Sequence, residues 1–354
     1  MEDAYRTLPY TPDLRDGVVR VLRDLLGPDD AANALYFRWK YEDNPYRQAA
    51  PGVVAMHDGQ VVGFRGYFAT RWACAGHEPF LVLCPGDTCV DPAHRRQGLS
   101  VKMGRAAHGI CTAGARLLVN TSSTSNSVPG YLRLGFFPLV PKTFLHHYSA
   151  LGFVRFAAAT KLGRPSPPDR VRCGTFGDIT VSDRPDSEAM ARVITEGRPQ
   201  TPAFALVQDH AFFEWRFANG RNRYVFYYGR KAGRTSSYMV MRFSPGARRG
   251  YIVDYAGPRG SLSPLVRFAA KAGHADVLSV WSTGMEPETR SLFESHGFKA
   301  KCALTALERR IRGEWPVLVR PVPTAPEETD WVVNGLDVRV STNWRLREVG
   351  SDGV

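Results

Sequence analysis

The sequence predicts an α/β (α+β) protein built as two tandem copies of one domain, and three observations carry that prediction. The run Leu35-Tyr36-Phe37-Arg38-Trp39-Lys40-Tyr41 has a counterpart in Phe212-Phe213-Glu214-Trp215-Arg216-Phe217. Each run leads through a polar turn into an apolar strand, Val53–Met56 in the first half and Tyr224–Tyr228 in the second. Each half also closes a helix on a glycine and a phenylalanine, at Gly135-Phe136 and Gly297-Phe298. The spacing from tryptophan to that glycine is 96 residues in the first half and 82 in the second, far longer than a solenoid repeat. A Pro-rich stretch, Arg164-Pro165-Ser166-Pro167-Pro168, separates the copies. The expected organisation is 1–160, a linker at 161–175, and 176–354 including a C-terminal tail.

Element by element, Asp13 to Leu26 has helical apolar spacing, and Tyr36 to Tyr41 prolongs a second helix. His57-Asp58-Gly59-Gln60 is a hairpin turn between strands Val53–Met56 and Val61–Phe68, because Asp-Gly supplies positive φ angles. Pro79 to Val90 is a strand whose Pro85-Gly86 suggests a bulge. Gly98 to Ala113 is a helix, Ala115 to Thr121 a strand, and Pro129 to Leu134 a short helix. Leu145 to Leu151 is expected as the closing strand of the first copy. The second copy repeats this order from Ile179 to about Arg312, and the tail from Trp315 carries further tryptophans that favour packing against a domain.

The chain of 354 residues is 44% hydrophobic, enough for about two domains with cores. No apolar run approaches the roughly 20 residues of a membrane span. The start, Met1-Glu2-Asp3-Ala4-Tyr5-Arg6, lacks a basic region followed by an apolar stretch, so no secretory leader is expected. The six cysteines form no Cys-x-x-Cys pair, so neither a zinc site nor a disulfide framework is indicated, and a reduced cytoplasmic setting fits. The net charge of +12 fits either an ordinary basic surface or attraction to a polyanion: CoA phosphates, a nucleotide-linked sugar, tRNA or an anionic membrane face. No Lys/Arg block with interleaved aromatics points to dedicated nucleic-acid binding.

The segment with the most chemistry is Val90-Asp91-Pro92-Ala93-His94-Arg95-Arg96-Gln97-Gly98-Leu99-Ser100, between a strand and a helix. A glycine at such a turn lets backbone approach a ligand, and the first N–H groups of the helix then point at it. Those donors and the positive helix end suit a pyrophosphate, with Arg95 and Arg96 adding charge. An ordinary strand–turn–helix connection has the same local pattern.

This segment resembles the acyl-CoA loop of the GNAT superfamily, Arg/Gln-x-x-Gly-x-Gly/Ala, with Arg95 first and Gly98 fourth. Ser100 replaces the usual small residue, and Arg96 stands where many relatives have glycine. The resemblance implies two GNAT-like domains, each a mixed, mostly antiparallel sheet flanked by helices. It implies that backbone N–H groups from Gln97 through Gly98, Leu99 and Ser100 to Val101 hold the pyrophosphate, and that backbone at Cys89 and Val90 pairs with pantetheine like an added strand. Tyr131, four residues before Gly135, falls where family members place the acid that protonates the departing thiolate; a buried aromatic on a helix is the alternative. Asn126-Ser127-Val128-Pro129 and Gly86-Asp87-Thr88 are similar to runs in GNAT proteins of polysaccharide gene clusters. Asn126 is expected to contact the cofactor or cap the helix. Asp87 is a candidate general base or a structural acceptor. His146 and His147 face opposite sides of one strand, and His147 is a further candidate toward the acceptor.

The second copy departs from this pattern. Ala256-Gly257-Pro258-Arg259-Gly260-Ser261 lacks the loop order, and Phe293 stands in place of Tyr131. One active copy and one degenerate copy are therefore expected. The implied activity is transfer of an acetyl or longer acyl group from acyl-CoA, with no metal, to an amine on a small molecule or glycan. An amino sugar of a polysaccharide precursor or a glycosylated natural product fits best. A tRNA-dependent Fem-type aminoacyltransferase and a non-catalytic acyl-CoA-binding protein are the alternatives.

Overall fold

The computed structural model describes residues 4–47, 50–74, 76–162, 171–197, 202–243, 248–302, 305–306 and 315–351. The Pro-rich stretch at 164–168 and the end of the second copy near Arg312 lie outside them.

Two mixed, mostly antiparallel sheets with flanking helices make up the fold. The first contains β1 (Arg6–Pro9), β2 (Gly52–His57), β3 (Gln60–Ala73), β4 (Phe80–Val90), β5 (Ala115–Asn120) and β6 (Phe137–Pro141). Its helices are α1 (Arg15–Leu26), α2 (Asp30–Phe37), α3 (Leu99–Ile110) and α4 (Val128–Arg133). Next come β7 (Phe144–His147) and α5 (Ala150–Lys161). The second sheet uses β8 (Gly174–Phe176), β9 (Ile179–Ser182), β11 (Arg223–Lys231), β12 (Arg234–Phe243), β13 (Arg249–Ala256) and β14 (Val277–Trp281). With it go α6 (Ser187–Glu196), α7 (His210–Arg216), α8 (Arg259–Lys271) and α9 (Pro287–Ser295). A short β10 (Phe204–Leu206) pairs with β3, and β15 (Pro316–Pro321) follows α9.

The order in the first sheet is β1-β2-β3-β4-β5-β15-β6, and in the second β7-β14-β13-β12-β11-β9-β8. Only β4–β5 and β13–β14 among these neighbours are parallel. The two sheets exchange strands. The expected closing strand of the first copy ends at His147, gives way to a helix from Ala150, and pairs with β14 of the second sheet. Leu145 is there fully buried among Ile252, Val280 and Phe298. In return β15, from beyond the second copy, enters the first sheet between β5 and β6. Each half therefore lends the other the strand beside its parallel pair, and no single cut near 160 separates the sheets.

The repeated tryptophans meet at the junction. Trp39 and Trp215 stack at 5.4 Å and 13°. Each indole N–H donates to the other residue's carbonyl, at 2.6 and 2.7 Å. This reciprocity is that of a pseudo-two-fold axis between the copies. The same repeat appears where each half closes: Tyr131 meets Phe136 edge-on at 5.0 Å, and Phe293 meets Phe298 edge-on at 5.2 Å.

Candidate active site

The site begins with a register fault in β4. Gly66 pairs with Gly86 and Phe64 with Cys89, so Asp87 and Thr88 oppose Arg65 alone. Two residues against one is a bulge, and Asp87 adopts φ +47° there. The bulge lies just beyond the Pro85-Gly86 position marked in the sequence. On its other edge β4 pairs with β5 only from Leu81 to Leu83. From Cys84 to Val90 it keeps β3 on one side and has no strand on the other, which opens a wedge between two parallel strands.

Asp87 is buried against the helical face that carries α2. After Phe37 the chain continues in a π-helical turn, Arg38–Glu42, which turns Trp39, Lys40 and Tyr41 all inward. Such turns concentrate at functional sites because they re-aim side chains. Lys40 Nζ donates to Asp87 Oδ2 at 2.8 Å, and Tyr41 Oη donates to the same oxygen at 2.9 Å. Lys40 also donates to Tyr36 Oη at 2.9 Å. Burial lowers the pKa of the Lys40 ammonium, and Asp87 opposes that shift. Burial, and then the charge of Asp87, pushes the Tyr41 phenol far above the usual range; Tyr131 adds to the rise, so both lie within electrostatic reach of Tyr41. Gly66 has no room for a side chain, because a Cβ there would run into Tyr41.

Tyr131 lies on the opposite side of the sheet, 5% exposed, in the cluster with Met103 and Leu118. Its hydroxyl has no hydrogen-bond partner among the described residues. The Arg65 guanidinium lies 4.7 Å from its ring centre, a cation–π contact.

The loop after β4 ends in two left-handed residues, Arg96 at φ +64° and Gly98 at φ +72°. Gly98 is the N-cap of α3. Arg96 thus carries a conformation that explains why relatives favour glycine at its position. Val101 N–H is taken by the Gly98 carbonyl at 3.1 Å, which removes it from the expected donor set. The N–H groups of Arg96, Gln97, Gly98, Leu99 and Ser100 have no acceptor among the described residues. Arg95 is more committed than expected. Its Nε donates to the Val90 carbonyl at 3.0 Å and its Nη2 pairs with Asp24 of α1. That bond also occupies the Val90 carbonyl expected to pair with pantetheine. Cys89 directs its sulfur at the Val21 carbonyl, 3.2 Å away.

The structure corrects one expectation and places another. Asn126 is exposed and does not cap α4, whose N-cap is Ser127. His147, the candidate toward the acceptor, pairs with Leu278 in the second sheet and packs on Phe298 at 5.3 Å. Burial lowers its pKa. Lys40, Tyr41, Arg65 and Thr88 are site residues not singled out from the sequence. A lysine embedded in the aromatic run Tyr36–Tyr41 was the one visible signal.

The second half keeps the scaffold and changes the chemistry. Asp254, in the equivalent bulge of β13, is fully buried and accepts from Tyr238 at 2.7 Å, Gln208 at 2.7 Å and Arg347 at 3.2 Å. Both of its oxygens are used. Phe293 offers no hydroxyl, and α8 starts at Pro258–Arg259 without the left-handed glycine cap. A cavity of about 370 Å³ lies there, lined by Tyr255, Gly257, Leu262, Glu286, Arg345 and Arg347 among others.

Residues 9–138 match the family model described as an acetyltransferase (GNAT) domain. That segment spans the bulged strand, the loop at Gly98 and Tyr131. Residues 9–138 thus carry a GNAT acetyltransferase domain. Such a domain is of the acyltransferase class, and GNAT domains as a group take acyl-CoA. Solved structures share the fold at low identity. One is a probable N-acyltransferase from Enterococcus faecalis V583: TM-score 0.60, 14% identity, 90% of this chain and 72% of the other. The GCN5-related N-acetyltransferase of Anabaena variabilis gives 0.58 at 10% identity over 90% and 73%. That of Kribbella flavida gives 0.58 at 12% identity over 90% and 72%. No curated protein matches the sequence. Among the described residues no His/Cys/Asp/Glu group could hold a metal ion, and no helix is long and apolar enough to cross a membrane.

Proposed function

We propose that this GNAT protein moves an acetyl or longer acyl group from acyl-CoA to an amine, at one site in its first half. The observation that carries the proposal is the run of five unpaired N–H groups opening α3 beside the β4–β5 wedge. The N–H groups bind the pyrophosphate, and the free edge of β4 receives the pantetheine arm as an extra strand would be received.

In the reaction the amine nitrogen attacks the thioester carbonyl, forming a tetrahedral oxyanion. Asp87 Oδ1, which takes neither the Lys40 nor the Tyr41 bond, accepts the amine proton. Tyr131 donates its proton to the sulfur as the C–S bond breaks, leaving an amide and free CoA. The proton on Asp87 returns to the tyrosinate through solvent. Lys40 and Tyr41 orient the carboxylate and do not themselves react.

The acceptor class we assign is an amino sugar of a polysaccharide precursor or a glycosylated natural product, supported by the similarity of Asp87 and Asn126 to the polysaccharide-linked runs. The test is mass spectrometry of the purified protein with acyl-CoAs and a panel of amino-sugar acceptors. Acylated product with release of free CoA is expected. Failure to bind any acyl-CoA by calorimetry would sink the proposal.

A further inference from the structure

Arg65 is a buried charge with no described counter-charge. It is 2% exposed on β3, directly opposite the β4 bulge. Its Nε donates to Tyr67 Oη at 2.9 Å, and its guanidinium is 5.7 Å from the Tyr67 ring centre and 4.7 Å from that of Tyr131. Among the described residues its buried Nη2 has no partner and no carboxylate pairs with it. A buried guanidinium without an anion is costly, and removal from water is repaid only by a close, hydrogen-bonded counter-charge. Asp87, the nearest acid in sequence register, faces the other side of the sheet and is already committed to Lys40 and Tyr41.

A second orphan lies beside it. Thr88 Oγ1 is buried without a partner among the described residues. Cys89 points at α1, so alternation along the strand turns Thr88 to the opposite face, where Arg65 and Tyr131 lie. Two unsatisfied donors thus meet at the bulge, next to the candidate thiolate acid and at the open end of the wedge.

We infer that Arg65 Nη2 and the Thr88 hydroxyl form a carboxylate subsite, and that the acyl donor is the CoA thioester of a dicarboxylic acid. The inference rests on the acyltransferase proposal and narrows its donor. The free carboxylate of the acyl chain pairs with Arg65 and accepts from Thr88, and the pair is satisfied only when donor is bound. A neutral acyl chain of equal length leaves both groups unpaired. Sites built around a buried polar group discriminate strongly against ligands that cannot pair with it.

The experiment compares succinyl-CoA and glutaryl-CoA with butyryl-CoA and acetyl-CoA, by calorimetry and by kcat/KM with one fixed amine. Unacylated CoA serves as the reference ligand. The inference expects wild-type protein to favour the dicarboxylic thioesters by about tenfold or more, charge-assisted pairs being the strong ones. In Arg65→Met the ratio falls toward one while the affinity for unacylated CoA holds. Arg65→Lys retains part of the ratio. Equal kcat/KM for neutral and dicarboxylic donors in the wild type overturns the inference without any variant being needed. A uniform loss over all donors in Arg65→Met overturns it too, since that pattern belongs to an oxyanion role. Absence of binding to unacylated CoA and to every thioester removes the acyltransferase proposal itself, and this inference with it.

Discussion

Asp87 receives both of its described side-chain bonds on one oxygen, and under the proposed mechanism this divides its two oxygens between support and chemistry. Asp87→Asn is expected to lower kcat about 10²-fold or more with CoA affinity little changed, the usual scale of a lost general base. It also leaves the Lys40 ammonium buried without its counter-charge, so a loss of about 3 kcal/mol in a denaturant titration should accompany it. Tyr131→Phe removes one atom and no packing; it should lower kcat about tenfold or more and leave stability near wild type. Unchanged turnover in that variant would strike Tyr131 from the mechanism.

His108 gives a pH test at the same scale. Burial, with help from the guanidiniums of Arg320 and Arg65, lowers its pKa to about 4. Arg320 donates to its ring nitrogen at 2.6 Å, which requires a neutral acceptor there. Between pH 6.5 and 4 the unfolded chain then binds more protons than the folded one, so stability falls as the pH falls through that window. The contribution is on the order of 2–3 kcal/mol by pH 4, and His108→Gln should flatten that part of a Tm-against-pH profile. Residue identities of this kind were only half legible in the sequence. Tyr131 and Asp87 stood in recognisable runs. Arg65 and His108 did not, because their meaning depends on which partners burial denies or supplies.

At the scale of elements, the start of α3 and the bulge in β4 act together. Gly98 sits at φ +72° with open space around its would-be Cβ, so Gly98→Val meets backbone strain and not a clash. A cost of about 1–2 kcal/mol in stability is expected, with a weakening of CoA affinity because the N–H groups of the loop change direction. The loop was legible because a strand, a glycine and a helix start form a local pattern. The π-helical turn at Arg38–Glu42 was not, since periodicity shows a helix there without showing that three successive side chains turn inward. The place of His147 was hidden for a related reason. A four-residue strand shows its faces in the sequence but not the sheet it joins.

At the scale of the molecule, the halves are repeats that cannot be cut apart. The internal similarity revealed the tandem arrangement, and the Trp39–Trp215 pair that revealed it proves to be the contact on the axis. The exchange of β7 and β15 was invisible, because strand pairing between distant segments leaves no local trace. A fragment ending near residue 160 would lack β15, and with it the Leu318 and Arg320 that fill the first sheet. Expressed alone, it should be insoluble or lack cooperative unfolding. Trp215→Ala should cost about 3–5 kcal/mol through lost packing at the axis, read by chemical denaturation.

The halves are asymmetric: the first has the left-handed cap at Gly98, the Tyr131 hydroxyl and an Asp87 oxygen with no described bond, while the second has Pro258 at the cap, Phe293 and an Asp254 bonded at both oxygens. The most direct test is the stoichiometry of acetyl-CoA binding to the whole protein by calorimetry, repeated with Gly98→Asp in the first half and Gly260→Asp in the first turn of α8. A side chain at either position meets open space. One molecule per chain is predicted, lost in Gly98→Asp and kept in Gly260→Asp. Two molecules per chain, or a single site that survives Gly98→Asp, would contradict it.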